Sequence, residues 1–373
     1  MRLGMFMHPI QDFKRGYHTL LKEDLDVIRT ADREGFDEVW LGEHYFLPSE
    51  PFASPLMIFA RLAAECPRIT MGAGVVCLPQ KHPAIVAGEI AQIDHMLEGR
   101  FMFGVGPGGS PPDFEAFGVV DKNRAEMVEE SVDIILKLWS EDPPYDIQGK
   151  YWNFQVKDNV LPDLGVGKMT VPFQKPYPPI MLPSMSRNSA SAKLTARRGW
   201  HMISANFVPE DIAIGHFKDW AGERQRLNLP LETHKYRAGR TILVCDTDEE
   251  ARAYLKHPDC TMRWYFHYIS GLTRHGGFVG MLKNDPSMSD DDVTVDYCLE
   301  NIVIAGSPKT VAEKLAAFRE KVGPFETLII SHHDWTHRDL WQRHMHLVSH
   351  KMMPILRDLT GTQHLVERAR AAE

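Results

Sequence analysis

The sequence predicts an α/β protein, a (β/α)8 barrel of the TIM type that spans the 373-residue chain and carries two insertions. Short apolar runs alternate with longer segments of helical period, the pattern of a parallel sheet wrapped in helices. Eight such runs occur, and barrels of this type extend from about 200 to over 400 residues as one unit. A glycine-rich loop follows the fourth run, at the strand end where such barrels keep their chemistry. Together these features favour a closed barrel over an open sheet.

The strands and helices follow one another in a regular order. Helical segments such as 22–34, 83–97 and 124–140 each end near a glycine or proline that cannot continue them. The eight candidate barrel strands are residues 3–7, 38–43, 69–78, 101–105, 179–183, 201–205, 237–245 and 327–331.

Two stretches interrupt this order, and we interpret both as insertions into a single domain of residues 1–373. Residues 141–178 are rich in proline and glycine, and residues 149–154 within them resemble a short hairpin. Residues 256–300 carry the aromatic run 264–268 and the glycine pair 276–277. Long insertions in compact domains are usually lids or binding loops, so we expect a mobile lid here. The alternative is a solvated excursion with a small cluster of its own.

Composition excludes several classes of protein. A net charge of -8 argues against nucleic acid as a partner. The five cysteines are scattered without a C-x-x-C pair, as expected of reduced thiols. No run of about 20 apolar residues is present for a membrane span. These features predict a cytoplasmic enzyme that acts away from membranes.

The loop Gly104–Gly109 fits the pattern G-x-G-x-x-G but does not suit a dinucleotide-binding turn. Such a turn leads at once into a helix, whereas Ser110 and two prolines follow here, and we expect no helix to begin there. Glycines also allow a backbone to approach a flat or anionic ligand closely. We therefore predict that Gly106 lies against a ligand.

Several motifs in order along the chain resemble the bacterial luciferase-like flavin monooxygenases, a family of (β/α)8 barrels. Each motif is weak alone, but the ordered set covers most of the chain and is similar above all to the diketocamphane and limonene monooxygenase branch. The motifs are Gly42-Glu43-His44, residues 74–79 with His82-Pro83, residues 99–105, Asp113-Phe114, Phe117-Gly118, Arg124, residues 186–189 and residues 305–308.

The resemblance implies a catalytic role for His44, which closes the second predicted strand. A histidine has an ordinary pKa of about 6.5, which suits proton transfer near neutrality. We expect His44 to act as an acid or base near the reactive edge of a flavin, and the alternative is a histidine hydrogen-bonded at the barrel rim. Glu43 would point the opposite way on a regular strand and is expected to be structural.

The resemblance also implies a cis peptide bond between Gly74 and Val75, against which the flavin ring would lie. Glycine on one side of such a bond reduces the steric conflict. The alternative is a glycine in a strand where a helix packs closely.

A flavin mononucleotide needs a phosphate site, which barrels commonly build from loop amides and a helix N-terminus late in the sheet. Hydroxyl groups, a cation and helix-capping residues precede the predicted helix 190–198, and Arg124 matches a family phosphate contact. The alternatives are an ordinary helix cap and a surface charge. The predicted phosphate residues are Ser184, Ser186, Arg187, Asn188, Ser189 and Arg124.

The 18 histidines do not predict a catalytic metal. His332 and His333 are adjacent, so on a regular strand they face opposite sides. His346 and His350 have the i, i+4 spacing of helical ligands, but they lie on the terminal helix, away from the expected site of chemistry.

The resemblance implies a monooxygenase that uses reduced FMN and O2 to oxygenate a small hydrophobic ketone, aldehyde or terpenoid. The family often takes its flavin from a separate NAD(P)H-dependent reductase and often forms homodimers. An F420-dependent dehydrogenase or reductase of the same fold and a noncatalytic flavin-binding barrel are the alternatives. The aromatic residues proposed for an apolar substrate wall are Phe6, Phe46, Trp264, Phe266 and Phe278.

Overall fold

The structure is a computed structural model that describes residues 1–8 and 10–365. The β-strands, in chain order, are β1 Arg2–Met7, β2 Glu38–Leu41, β3 Thr70–Ala73, β4 Val76–Cys77, β5 Phe101–Gly106, β6 Tyr145–Gln148, β7 Asn153–Val156, β8 Ile180–Ser184, β9 His201–Ser204, β10 Tyr236–Arg240, β11 Ile242–Val244, β12 Ile304–Gly306 and β13 Thr327–Ser331. The main sheet has the order β3-β2-β1-β13-β10-β9-β8-β5, and a pairing of β3 with β5 closes it. This confirms the predicted eight-stranded parallel barrel.

Helices follow most of the barrel strands. They are α1 Tyr17–Glu34, α2 Pro55–Leu62, α3 Pro83–Met96, α4 Pro111–Ala116, α5 Arg124–Ser140, α6 Ala190–Arg198, α7 Glu210–Arg226, α8 Asp248–Lys256, α9 Thr261–His275, α10 Val295–Asn301, α11 Pro308–Val322, α12 Arg338–Leu347 and α13 Met353–Thr360, with a π-helical turn at Val348–Met352. Short 3-10 turns lie at Phe13–Arg15, Leu78–Gln80, Pro162–Leu164, Thr233–Lys235, Val279–Leu282, Asp290–Asp292 and Trp335–His337.

Three details differ from the sequence prediction. The run 237–245 divides into β10, which is a barrel strand, and β11, which pairs with β12 in a separate small sheet. Both halves are fully buried, so the hydrophobic pattern does not show the change of sheet. The run 69–78 likewise divides into β3 and β4, on either side of Gly74–Val75.

The third difference is that helix α4 does begin directly after the glycine loop, where no helix was predicted. Ser110 caps it by accepting a hydrogen bond from the Asp113 backbone N–H at 3.4 Å. The two prolines that argued against a helix occupy its first turn, where their missing N–H groups cost nothing.

The chain divides into two compact units. The first contains residues 1–40, 48–51 and 181–365, and the second contains residues 41–47 and 52–180. All five cysteines are buried, and none of the five is in a disulfide bond. Among the described residues, no helix combines the length and the apolar run needed to cross a membrane.

A buried ion pair lies in the first unit, near the start of the barrel strands. The Arg237 guanidinium donates two hydrogen bonds to the Glu38 carboxylate, at 2.7 and 2.8 Å, and the Trp40 indole donates a third at 3.0 Å. Burial alone would raise the pKa of Glu38, but the charge of Arg237 outweighs it and holds the pKa at about 2. Glu38 is therefore ionised wherever the protein is folded at ordinary pH.

The two predicted insertions have regular structure. In the second unit, β6 and β7 form the antiparallel hairpin expected near residues 149–154. In the first unit, residues 256–300 contain α9 and α10, and Tyr265 and Phe266 of α9 are buried. The Tyr265 hydroxyl accepts a hydrogen bond from the Asn206 side chain at 2.9 Å. This segment is therefore packed into its unit and is not a solvated excursion.

Candidate functional site

His44 lies just after β2 in the second unit, at the carboxyl end of the barrel strands as predicted. Its Nδ1 atom lies 3.6 Å from the Asp113 carboxylate. That carboxylate also accepts backbone N–H bonds from Phe46 at 2.9 Å and from Tyr45 at 3.3 Å. The loop that carries His44 is therefore fixed onto helix α4 through Asp113.

Asp113 is the functional neighbour that sequence reasoning missed. Its motif is part of the family resemblance, but no role follows from it, because nothing in the sequence indicates that α4 returns to the end of β2. Burial would raise the pKa of Asp113, but the approach of His44 and the N–H bonds of Phe46 and Tyr45 outweigh it and lower the pKa. A buried carboxylate thus faces Nδ1 and favours a proton on that nitrogen.

Glu43 has the structural role that the strand alternation predicted. Its buried carboxylate accepts a hydrogen bond from the Lys81 ammonium at 2.6 Å and another from the Cys77 backbone N–H at 3.3 Å. Burial raises the pKa of Glu43, and the charge of Lys81 opposes that rise. The pair ties the end of β2 to the 3-10 turn after β4.

Three glycine positions lie beside His44 and form what we call the glycine shelf: Gly42, Gly74–Val75 and Gly106. A Cβ atom on Gly42 would lie 3.6 Å from the Gly74 carbonyl oxygen and 3.9 Å from His44 Nε2. A Cβ atom on Gly106 would lie only 2.7 Å from a Val75 methyl carbon. The Gly74–Val75 peptide bond is cis, which confirms the geometry expected there. Backbone and one methyl-bearing side chain thus form a shelf suited to a flat ligand.

A buried polar group next to the shelf has no partner among the described residues. Both amide atoms of the Gln80 side chain are buried and lack a hydrogen bond. A Cβ atom on Gly108, where φ is +80°, would lie 3.2 Å from Gln80 Nε2, so only glycine fits comfortably at that position. Buried amides are almost always hydrogen-bonded, so Gln80 is a candidate contact for a polar ligand atom. Sequence reasoning missed this residue, because a lone glutamine gives no signal.

In the first unit, three hydroxyl groups meet at the N-terminus of α6, and we call them the serine cluster: Ser184, Ser189 and Ser191. Their oxygens lie 2.7 to 3.0 Å apart. Ser189 is the N-cap of α6 and accepts a hydrogen bond from the Ala192 N–H. A helix N-terminus with adjacent hydroxyls is a suitable environment for a phosphate group. Ser191 was not predicted, because it lies inside the helix and not before it.

The loop after β8 carries the predicted residues Ser186 and Asn188, and His216, which was not predicted, supports it. His216 contacts the Ser186 carbonyl oxygen at 2.9 Å and the Ser204 hydroxyl at 2.9 Å, which fixes the loop after β8. Asn188 has a left-handed backbone with φ of +53°. Burial lowers the pKa of His216, so this histidine supports the loop as a neutral ring.

The guanidinium of Arg187 is directed elsewhere. It forms an ion pair with Asp211 and donates to the carbonyl oxygens of Lys283 and Asn284 at 2.7 and 2.9 Å. Arg187 thus holds the turn between α9 and α10 against its own unit. A phosphate contact by Arg187 stays a prediction.

Arg124 is engaged within the second unit. It begins α5 and donates to the carbonyl oxygens of Val119 and Val120, each at 3.1 Å. Its guanidinium carbon also lies 3.9 Å above the Phe114 ring. Arg124 therefore packs on α4, and its contact with a phosphate stays a prediction.

The aromatic residues proposed for a substrate wall do not share one environment. Phe266 is fully buried and belongs to the core. Phe46 is 55% exposed, on the loop after His44. Trp264 lines a cavity of about 780 Å³ in the first unit together with Phe13 and residues that follow β13. A place for Trp264 in the apolar wall of the substrate pocket stays a prediction. Phe266 packs in the core of its unit.

Comparisons with known proteins agree with this geometry. The model of the luciferase-like monooxygenase family matches residues 1–324. The chain is 24% identical to 3,6-diketocamphane 1,6-monooxygenase of Pseudomonas putida, over 95% of this chain and 98% of that one. It is 26% identical to limonene 1,2-monooxygenase of Rhodococcus erythropolis, over 94% and 85%. The solved oxygenating constituent of the P. putida 3,6-diketocamphane monooxygenase, a type II Baeyer-Villiger monooxygenase in complex with FMN, superposes with a TM-score of 0.85 at 25% identity, over 95% and 98%.

Two further comparisons bear on the alternatives. The oxygenase component of a flavin-dependent trigonelline monooxygenase from Acinetobacter baylyi is 24% identical over 85% of this chain and 86% of that one. An F420-dependent secondary alcohol dehydrogenase has a TM-score of 0.70 at 16% identity, over 95% and 99%, and shares the fold alone. The match over most of the chain, together with the barrel and the His44 motif, shows that this protein belongs to the luciferase-like monooxygenase family.

Proposed function

We propose that this chain is the oxygenase of a flavin-dependent monooxygenase system, which uses reduced FMN and O2 to oxygenate a small hydrophobic ketone or terpenoid. The observation that carries the proposal is the likeness over 95% of the chain to a structure that holds FMN. The relatives named for terpene-derived substrates support the substrate class. As a family member, the chain is an oxidoreductase.

Each unit has groups that suit one part of FMN. The glycine shelf would receive the face of the ring system, and Gln80 would pair with its polar edge. The serine cluster and the N–H groups that begin α6 would hold the phosphate. Reduced FMN would supply the activation of oxygen, while the protein binds, orients and excludes water. His44 would exchange a proton with the bound ligand, and Asp113 would fix the ring through Nδ1.

The proposal is tested by titrating the purified protein with reduced FMN, oxidised FMN and F420 side by side. We expect reduced FMN to bind more tightly than either of the others. Tight F420 binding with oxygen-independent hydride transfer would support the dehydrogenase alternative instead. Flavin binding without any turnover on a panel of terpene ketones would support the noncatalytic barrel.

The arginine contacts are tested by comparing FMN with riboflavin, which lacks the phosphate. If Arg124 binds the phosphate, Arg124→Ala weakens FMN binding by about 1–3 kcal/mol and leaves riboflavin binding unchanged. Arg187→Ala separates two roles. FMN affinity near that of the parent, with faster hydrogen exchange at residues 276–294, would show that Arg187 only holds the turn. A loss of FMN affinity alone in Arg187→Ala would place Arg187 at the phosphate.

The segment between α9 and α10 is the part of the second insertion that we expect to close over bound substrate. Its turn lies at the carboxyl side of the strands and is held by Arg187, while α9 itself is packed through Tyr265. Replacing residues 276–294 with a short linker should leave FMN affinity nearly intact, raise hydrogen peroxide release and lower product, because closure excludes water. Unchanged coupling of oxygen to product would assign the segment a packing role.

We further propose a homodimer, a separate NAD(P)H-dependent flavin reductase as partner, a cytoplasmic location, and one domain over residues 1–373.

Met57 on α2 and Ile85 on α3 are 75% and 58% exposed, which supports a dimer interface on the helices that flank the early strands. Met57→Glu combined with Ile85→Glu should shift the mass in light scattering from dimer to monomer. A parent protein that is already monomeric would contradict the dimer.

A further inference from the structure

A cluster of metal-ligating side chains lies far from the flavin site, in the first unit. It comprises Glu34, the last residue of α1, and two histidines of the C-terminal helical region, His346 in α12 and His350 in the π-helical turn that follows it. Because α1 ends directly before β2 begins, the cluster lies at the amino ends of the strands. Conserved barrel chemistry gathers at the opposite end.

The three side chains converge on a single point. His346 Nδ1 lies 3.0 Å and His350 Nε2 lies 3.1 Å from the same carboxylate oxygen, Oε2 of Glu34. All three ligand atoms lie within 4.8 Å of one another. Zinc bonds of about 2.0–2.1 Å in tetrahedral geometry separate ligand atoms by about 3.3 Å, and the two histidine-to-carboxylate separations are already close to that value.

The local backbone fixes this arrangement. Gly35 caps α1 with a left-handed conformation, at φ of +82°, and the Ser349 hydroxyl donates to the Glu34 carbonyl oxygen. Ser349 lies between the two histidines in sequence, so its hydrogen bond sets the distance between the turn and Glu34. The two imidazole rings are 4.7 Å apart and tilted by 40°.

The convergence of three ligand atoms on one point suits a divalent cation. Such an ion would accept a lone pair from one nitrogen of each ring and one from the carboxylate. Two imidazoles and one carboxylate suit zinc, whereas magnesium and calcium prefer oxygen ligands alone.

We propose that Glu34, His346 and His350 form a noncatalytic zinc site that fastens the end of α1 to the C-terminal helices, with water as the fourth ligand. The site is independent of the proposed flavin chemistry. Because zinc would bind only the folded arrangement, it should raise the thermal unfolding temperature without changing turnover.

The test is calorimetric titration of zinc chloride into the untagged, metal-free full-length protein. We expect a zinc site that His350→Gln weakens by about 10-fold or more, because one of three protein ligands is lost. His257→Gln is the matched control, since it removes an exposed histidine 3.9 Å from Asp259, outside the cluster. It should leave zinc binding unchanged.

Cobalt(II) in place of zinc gives a second readout, because a tetrahedral cobalt site absorbs visible light strongly and an octahedral one does so weakly. We expect the parent to show the tetrahedral spectrum and the combined variant His346→Gln and His350→Gln to lack it. Equal zinc binding by the parent and this double variant would overturn the proposal. So would a rise in unfolding temperature with zinc that the double variant retains.

Discussion

His44→Ala is expected to lower turnover by about 10²- to 10⁴-fold, the usual range for loss of a general acid or base. Binding of reduced FMN should change little, because the substitution leaves the backbone of the glycine shelf unaltered. The serine cluster, which is proposed to hold the phosphate, belongs to a different part of the chain. Stopped-flow flavin binding and steady-state product formation, measured on the same preparation, separate the two quantities. An equal loss of flavin affinity would assign His44 a structural role.

Two further variants distinguish proton transfer from packing at this position. His44→Gln keeps a polar side chain of similar reach but has no group that titrates near neutrality, so it should be nearly as inactive as His44→Ala. Asp113→Asn keeps the acceptor for the Phe46 and Tyr45 N–H groups and removes the charge that faces Nδ1. We expect it to lower kcat and move the acidic limb of the pH-rate profile. A pH profile identical to that of the parent would show that Asp113 only fixes the loop.

Glu38→Ala is expected to destabilise the fold by about 3–5 kcal/mol, the cost of leaving one member of a buried ion pair without its partner. The variant removes two hydrogen bonds from Arg237, one from Trp40 and an ion pair with Arg2 at 3.6 Å. Equilibrium unfolding in urea measures the change. Glu126→Ala is the matched control, because Glu126 pairs with Lys150 on the exposed surface, where such pairs contribute little.

The same pair predicts how stability depends on pH. The pKa of Glu38 is lowered in the folded state, to about 2 from an ordinary 4.5. Its contribution is therefore fully present above about pH 4.5 and is lost as the pH falls towards 2. The parent should lose stability more steeply than Glu38→Gln over this window, since the variant has no carboxyl group to protonate. If the parent and Glu38→Gln lost equal free energy of unfolding between pH 5 and 2, the low pKa assigned to Glu38 would be contradicted.

Much of the fold follows from the sequence, because buried parallel strands appear as apolar runs and their helices end at glycine or proline. Helices α5 and α6 begin and end where predicted. Periodicity failed where a buried run changes its partner, as at β10 and β11, since both halves are equally apolar. It also failed at α4, where prolines that stop a helix elsewhere begin one.

The site was predictable only in part. His44 and Gly74–Val75 could be located because they belong to ordered motifs at strand ends. Asp113 and Gln80 are brought to the site by turns after β5 and β4, and such tertiary approaches leave no periodic signal. The long side chains of Arg124 and Arg187 were matched to a phosphate by sequence position, whereas their direction depends on Phe114 and Asp211.

Oxygen-isotope labelling is the most direct test of the proposed chemistry. The protein is supplied with chemically or enzymatically reduced FMN, ¹⁸O2 and a panel of bicyclic terpene ketones and cyclic terpenes, and products are analysed by mass spectrometry. We predict a product that carries one ¹⁸O atom from O2 and that disappears with His44→Ala. Product that forms under anaerobic conditions, or that carries no label from ¹⁸O2, would contradict the assignment as a monooxygenase.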